Sequence, residues 1–291
     1  MSTLYDLLLS PFVDFAFMRR ALAGCLALAM GSAPVGLFLV MRRMSLMGDA
    51  MSHAVLPGAA VGYLLAGLSL PAMSLGGFVA GVLVAVLAGL ATRYTEVKED
   101  ASFAGFYLLS LSLGVLLVSK TGSNVDLMHL LFGSVLAVDD HALLLVAGVA
   151  SFTVLSMALV YRPLLLESLD PVFMRAIGAR GGVWHLLFLL LVVLNLVAGF
   201  QALGTLMSVG LMMLPAIASR LWAVSVGGML LVAFAVAALS GVGGLLLSYH
   251  YELPSGPAII LLAGVFYLFS LLFAPQGGLL PRLVRARHFT N

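Results

Sequence analysis

Apolar runs of about twenty residues follow one another along almost the whole chain, separated by short clusters of Arg, Asp, Gly and Pro. That run length matches the roughly 20 residues a helix needs to cross the hydrocarbon of a bilayer. Nine spans are predicted, at roughly 21–41, 44–66, 71–92, 101–119, 141–161, 183–200, 203–219, 226–247 and 256–274. The run 124–137 is too short to cross and reads as a partly inserted helix on one side. Residues 1–20, with Phe12, Phe15 and Phe17, read as an interfacial helix. The expected organisation is an interfacial segment (1–20), a membrane domain (21–275) and a basic cytoplasmic tail (276–291). The fold class is an all-α polytopic membrane helix bundle of about nine transmembrane spans with one short cytoplasmic helix.

Composition excludes most alternatives. The chain is 63% hydrophobic and 9% charged, with a mean hydropathy of +1.17. Soluble domains carry about 25% charged residues, so no soluble domain is left over and no nucleic-acid partner is expected. A single cysteine, Cys25, rules out disulfides and thiolate metal sites within one chain. The basic residues then set the sidedness. With the N-terminus outside, Arg42, Arg43, Arg93, Lys98, Arg162, Arg175, Arg180, Arg220, Arg282, Arg285 and Arg287 fall inside. Only Arg19, Arg20 and Lys120 fall outside, eleven against three of the fourteen Lys and Arg residues.

Within this apolar chain, Asp49 and His53 stand one helical turn apart on one face of a predicted span. Ionisable groups are costly in hydrocarbon and mark transport paths. A carboxylate with an imidazole is a ligand pair for a divalent transition metal. The competing reading is that the two groups hydrogen-bond to each other or to Ser45. Gly48, Ala50, Ser52, Ala54, Gly58, Ala59, Ala60 and Gly62 would let this helix approach a second backbone closely. Pro57 deprives the His53 carbonyl of its helical donor, which allows a hinge. Met44, Met47 and Met51 read as gap fillers rather than a copper set.

In the cytoplasmic loop between Arg162 and Arg180, Asp170 as N-cap and Pro171 at the first helical position start a short helix that Gly178 ends. Val172, Phe173, Met174, Ala176 and Ile177 make it apolar. It either docks into a partner or packs on its own bundle. On the outer side, Asp126 and His129 are spaced i,i+3 on the short run, as outer metal ligands or as solvated groups. His141, after Asp139 and Asp140, reads as a residue that caps a helix start, with a transient outer relay as the alternative, and His185 as an interfacial residue near the cytoplasm.

Several blocks resemble one family, the permease subunits of ABC importers for zinc, manganese or iron. They are VMRRMSLMGDAMSHAVLPGAAVGYLL (40–65), NVDLMHLLFGSVLAV (124–138), LDPVFMRAIG (169–178), GTLMSVGLMMLPAIASRL (204–221) and YELPSGPAIILLAGVFYLFSLLF (251–273). The resemblance runs from about Pro11 to Pro275. It implies a dimer around one central path, two cytosolic ATP-binding subunits and an extracytoplasmic metal-binding protein, all in a bacterial inner membrane. It also implies metal coordination at Asp49 and His53, with the helix at 170–178 (Asp170, Pro171, Phe173, Ala176 and Gly178) fitting a groove in the ATPase.

Two Asp and two His from facing helices would form a four-ligand set suited to Zn²⁺ or Mn²⁺. Arg19, Arg20, His250 and Glu252 become candidates for docking the binding protein. The chain has no GxxxxGK[ST] and only Lys98 and Lys120, so ATP is expected on partner subunits. No resident cofactor is expected, only transported Zn or Mn, with zinc placed first on affinity order. The rivals are a gradient-driven secondary metal transporter with Asp49 as a proton site, and an intramembrane metalloenzyme, for which no HExxH is present.

Overall fold

A computed structural model of the protein describes residues 5, 7–67, 69–120, 138–176, 178 and 181–281. Asp126, His129, the short helix expected at 124–137 and the end of the basic tail lie outside these residues. All nine expected spans are helices. After α1 (Ser10–Asp14) come α2 (Ala16–Met41), α3 (Met47–Ala66), α4 (Leu70–Tyr94), α5 (Glu99–Lys120) and α6 (Asp140–Leu159). Then follow α7 (Tyr161–Leu169), α8 (Pro171–Ala176), α9 (Gly181–Leu203), α10 (Thr205–Trp222), α11 (Val226–Tyr251) and α12 (Ser255–Phe273). Eight of them are long and apolar enough to cross a membrane. The ninth, α3, falls short because Asp49, His53 and Pro57 dilute its apolar residues.

Contacts between helix ends confirm that the helices alternate in direction. At one end, Arg20 meets Asp140 at 3.4 Å and His250 Nε2 lies 2.9 Å from the Leu7 carbonyl. At the other, Arg42 meets Ser168 and His185, Arg220 donates to the Val40 carbonyl at 3.2 Å, and Trp222 donates to Ser270 at 2.8 Å.

Three local expectations change. Within residues 7–20 the helix is not continuous. The chain breaks at Phe15 in extended backbone, and α2 begins at Ala16, so Arg19 and Arg20 belong to the span itself. Arg19 donates to the Val13 carbonyl at 2.6 Å and closes the open end of α1. The cap before α6 is Asp139, which accepts the Ala142 N–H at 2.8 Å, rather than His141. The inner loop also holds a helix that was not expected, α7, with Pro163 in its first turn, where no intrahelical donor is needed.

Helices α2 and α9 form the centre, with 72% of the most apolar stretch of each buried against 17% for α5. Phe38, Phe188, Leu191, Val192, Met51 and Met212 share one core cluster, and Leu28, Leu203, Leu211 and Ile259 a second. Lipid is as apolar as leucine, so close packing and buried polar links decide which faces meet. Asn195 on α9 donates to Thr153 Oγ1 at 2.7 Å and to the Leu191 carbonyl at 2.8 Å. Such an interhelical bond contributes about 1 kcal/mol. A Cβ at Gly31 would come within 2.5 Å of Asn195 Oδ1 and 3.0 Å of Ala150 Cα, so α2 can approach both helices only as glycine there.

The small residues of α3 also pack within the chain. A side chain at Gly58 would collide with the Gly76 carbonyl of α4, and one at Gly62 with the Ala72 carbonyl. The close interface expected of Gly48, Ala50, Ser52, Ala54, Gly58, Ala59 and Gly62 is therefore intramolecular, and all seven are buried. Replacing Gly58 by Ala is expected to destabilise the detergent-solubilised protein by about 1–3 kcal/mol. Gly105→Ala, where a Cβ meets nothing within 4 Å, should leave the thermal midpoint unchanged or raise it slightly. Thermal unfolding of the two variants measures the contrast.

Candidate functional site

The turn that delivers Asp49 and His53 is tightly specified. Helix α2 ends in a Schellman turn, with Met44 N–H bonded to the Leu39 carbonyl at 2.9 Å and Arg43 N–H to the Val40 carbonyl at 3.1 Å. Arg43 occupies the left-handed position, φ 60°, where glycine is the usual residue. The chain reverses there, and α3 starts at Met47. Asp49 thus lies in the first turn of α3 and His53 one turn further on.

Both face outward from the single chain. The Asp49 side chain is 66% exposed and that of His53 36%, with Nε2 and Oδ1 3.7 Å apart. That separation is beyond hydrogen-bond range. The reading in which the two residues satisfy each other by a hydrogen bond is not realised. The His53 ring stacks on Tyr107 of α5, centroids 6.1 Å apart and planes 28° apart. Helix α5 also carries Ser110, which donates to the Ala54 carbonyl at 3.3 Å, and Gly114, which lies against Pro57. The proline break is therefore braced by α5. Leu46, Asp49, His53, Leu56 and Ala60 line one stripe of α3, while Met44, Met47 and Met51 are buried in the core. Among the described residues, no group of three or more His, Cys, Asp or Glu could hold a metal. One chain offers two donors, half of a four-coordinate set.

Helix α8 is the second element. Asp170 caps it, accepting the Phe173 N–H at 2.8 Å, and Gly178 beyond it has φ 71°. Met174 is buried, 2% exposed, and anchors the helix. Val172 and Phe173 are exposed, as are Ala176 and Gly178. Among its described side chains, the helix buries Met174 against its own bundle and presents Val172, Phe173 and Ala176 outward. On the far side, Arg19 is occupied with α1 and Arg20 with Asp140. His250 contacts the Leu7 carbonyl, and Glu252 ends α11 in a left-handed conformation at φ 53°. All four stand at the same end of the bundle.

One polar cluster was not legible from spacing. Arg42, Glu99, Ser168 and His185 come from four segments, and the structure joins them beneath α8. The only sequence signal was that an ionisable residue near a span end needs a partner.

The fold defines a polytopic helical membrane protein, and the outward carboxylate–imidazole pair is its candidate functional site. The ABC 3 transport family matches residues 14–274, and the chain belongs to that family. This is the family of metal-type ABC permeases that the motifs resembled; the chain is a membrane permease subunit, not an enzyme. It is 35% identical to the manganese import system permease protein ScaB of Streptococcus parasanguinis over 92% of this chain and 96% of that one. It is 32% identical to the chelated iron transport system membrane protein YfeD of Yersinia pestis, over 94% and 90%. A solved structure of PsaBC from Streptococcus pneumoniae in complex with Fab superimposes with a TM-score of 0.83 at 31% identity, covering 99% of this chain and all of that one.

The two apolar residues side by side on α8 should separate in stability measurements. Met174→Asp places an unpartnered acid in the core and is expected to cost at least about 2 kcal/mol. Phe173→Asp stays at the surface and should change the stability of the isolated permease by less than about 0.5 kcal/mol. Thermal unfolding in detergent distinguishes them.

Proposed function

We propose that the chain imports a divalent transition metal as one half of a permease dimer, with Mn²⁺ as the principal cargo. The observation that carries this reading is the Asp49 side chain, largely exposed on a membrane helix, 3.7 Å from His53 and without a side-chain hydrogen bond among the described residues. Against lipid, a carboxylate costs about 3 kcal/mol at the centre of a span and less in a first turn, where Asp49 lies. Against a second copy, Asp49 and His53 from each chain complete a four-ligand nitrogen and oxygen set. The two carboxylates then balance the charge of a dehydrated divalent ion. The same set binds Zn²⁺ more tightly than Mn²⁺ on the affinity order. The relatives are named for manganese and for chelated iron. Those names favour Mn²⁺ as cargo over the zinc placed first on affinity order, with Zn²⁺ as a tight competitor.

The positive charges put the end of the bundle carrying Arg42, Arg220 and α8 in the cytoplasm. There the exposed Val172 and Phe173, with the cap at Asp170 and Pro171 and the end at Ala176 and Gly178, meet a cytosolic ATP-binding subunit. At the opposite end Arg20, His250 and Glu252, with Arg19 beside them, receive the extracytoplasmic metal-binding protein. Asp126 and His129 belong to that outer side as ligands for the incoming ion. ATP-driven displacement of α8 then turns the bundle from outward to inward access.

Radiolabelled Mn²⁺ uptake by the permease together with its ATPase and binding protein tests this. Uptake should require a competent ATPase, fall at least about tenfold in His53→Ala with assembly intact, and be blocked by Zn²⁺. Unchanged uptake in His53→Ala would assign Asp49 and His53 a structural role. Uptake surviving a dead ATPase would favour the gradient-driven carrier.

A further inference from the structure

Arg42 joins four half-buried helix ends, that of Glu99 by way of His185. Its Nη1 lies 2.6 Å from His185 Nδ1, its Nε donates to Ser168 Oγ at 2.9 Å, and its guanidinium sits 4.7 Å from the centre of the Phe188 ring. Arginine offers only donors, so His185 Nδ1 accepts and the imidazole proton resides on Nε2. That nitrogen lies 2.8 Å from Glu99 Oε1, a close polar contact that lacks hydrogen-bond alignment. The result is a relay of contacts from guanidinium through imidazole to carboxylate. Burial draws the Arg42 guanidinium below its ordinary value, while Glu167 and then Glu99 oppose that shift. An arginine at the centre makes the cluster unsuited to a cation.

The relay touches every element that transport requires. Ser168 lies two residues before Asp170, the cap of α8. Arg42 directly precedes the left-handed turn at Arg43, after which α3 carries Asp49. Glu99 is the first residue of α5, whose Tyr107 stacks on His53 about 12 Å further along that helix. One hub therefore reaches Asp49 through α3 and His53 through α5. The turn between α2 and α3 is disfavoured for a residue with a side chain. Contacts around it hold it, among them the Arg220 bond to the Val40 carbonyl.

We propose that the Arg42–His185–Glu99 relay, tied through Ser168 to the segment before α8, converts displacement of α8 into a joint movement of Asp49 and His53. Arg42, Ser168, His185 and Glu99 are positioning residues; none contacts the metal. The inference rests on the reading of α8 as the ATPase contact.

The test uses the assembled transporter in vesicles, with Mn²⁺ uptake and ATP hydrolysis measured side by side. His185→Ala is expected to assemble and hydrolyse ATP but to move at least about fivefold less metal per ATP. His185→Asn, whose amide oxygen can accept from Arg42, should recover part of that ratio. An unchanged ratio in His185→Ala overturns the proposal, as does a parallel fall of uptake and hydrolysis that Asn does not relieve. If His185→Ala fails to assemble, Ser168→Ala, which removes one hydrogen bond, decides: a lowered ratio supports the relay and an unchanged ratio overturns it. Phe173→Asp separates the two readings. If it still captures the ATPase subunits, the assignment of α8 fails by itself, whatever the His185 variants do.

Discussion

An ionisable side chain in a membrane span must find a partner, and this constraint organises the bundle. The chain meets it in two opposite ways. Near one set of helix ends, Arg42, His185 and Glu99 meet within the fold and Ser168 accepts from the arginine, while Arg42 Nη2 and Glu99 Oε1 find no hydrogen-bond partner among the described residues. Asp49 and His53 stand 3.7 Å apart and face outward, with no hydrogen bond between them. A closed cluster locks helices together, whereas an open pair calls for an ion or a second subunit.

Packing around the open pair explains how α3 tolerates it. The helix is buried on one side by glycine-to-backbone contacts with α4 and braced on another by Tyr107, Ser110 and Gly114 of α5. The contacts with α4 are made by glycine against backbone, and Asp49 lies on the remaining outward stripe. The proline at position 57 leaves a carbonyl without its helical donor, but α5 lies directly against the break. The helix is thus held in place while keeping one backbone bond fewer than a regular span.

Much of this was legible in the sequence, for physical reasons. Apolar run length and basic-residue bias report on the bilayer itself, so the nine helices emerged, and alternating helix ends agree with them. Asp49 and His53 were visible because two polar residues at helical spacing in an apolar run have few explanations. The capped start of α8 at Asp170 and Pro171 was visible because capping is local chemistry. The rest depends on contacts between distant positions. Arg42 and His185 are 143 residues apart, and Tyr107 carries no mark of the imidazole it stacks on. Hydropathy cannot separate a lipid-facing leucine from a buried one. The small residues of α3 therefore suggested an interface between chains when they in fact serve the packing of α3 on α4.

The two-fold metal site is tested most directly by titrating the purified dimeric complex with Mn²⁺ and following the bound ion by electron paramagnetic resonance, with histidine labelled at its ring nitrogens. The expected result is one ion for every two chains, coupled to imidazole nitrogen, with binding and coupling both lost in His53→Ala. One ion per chain, or an ion held equally well without His53, would contradict it.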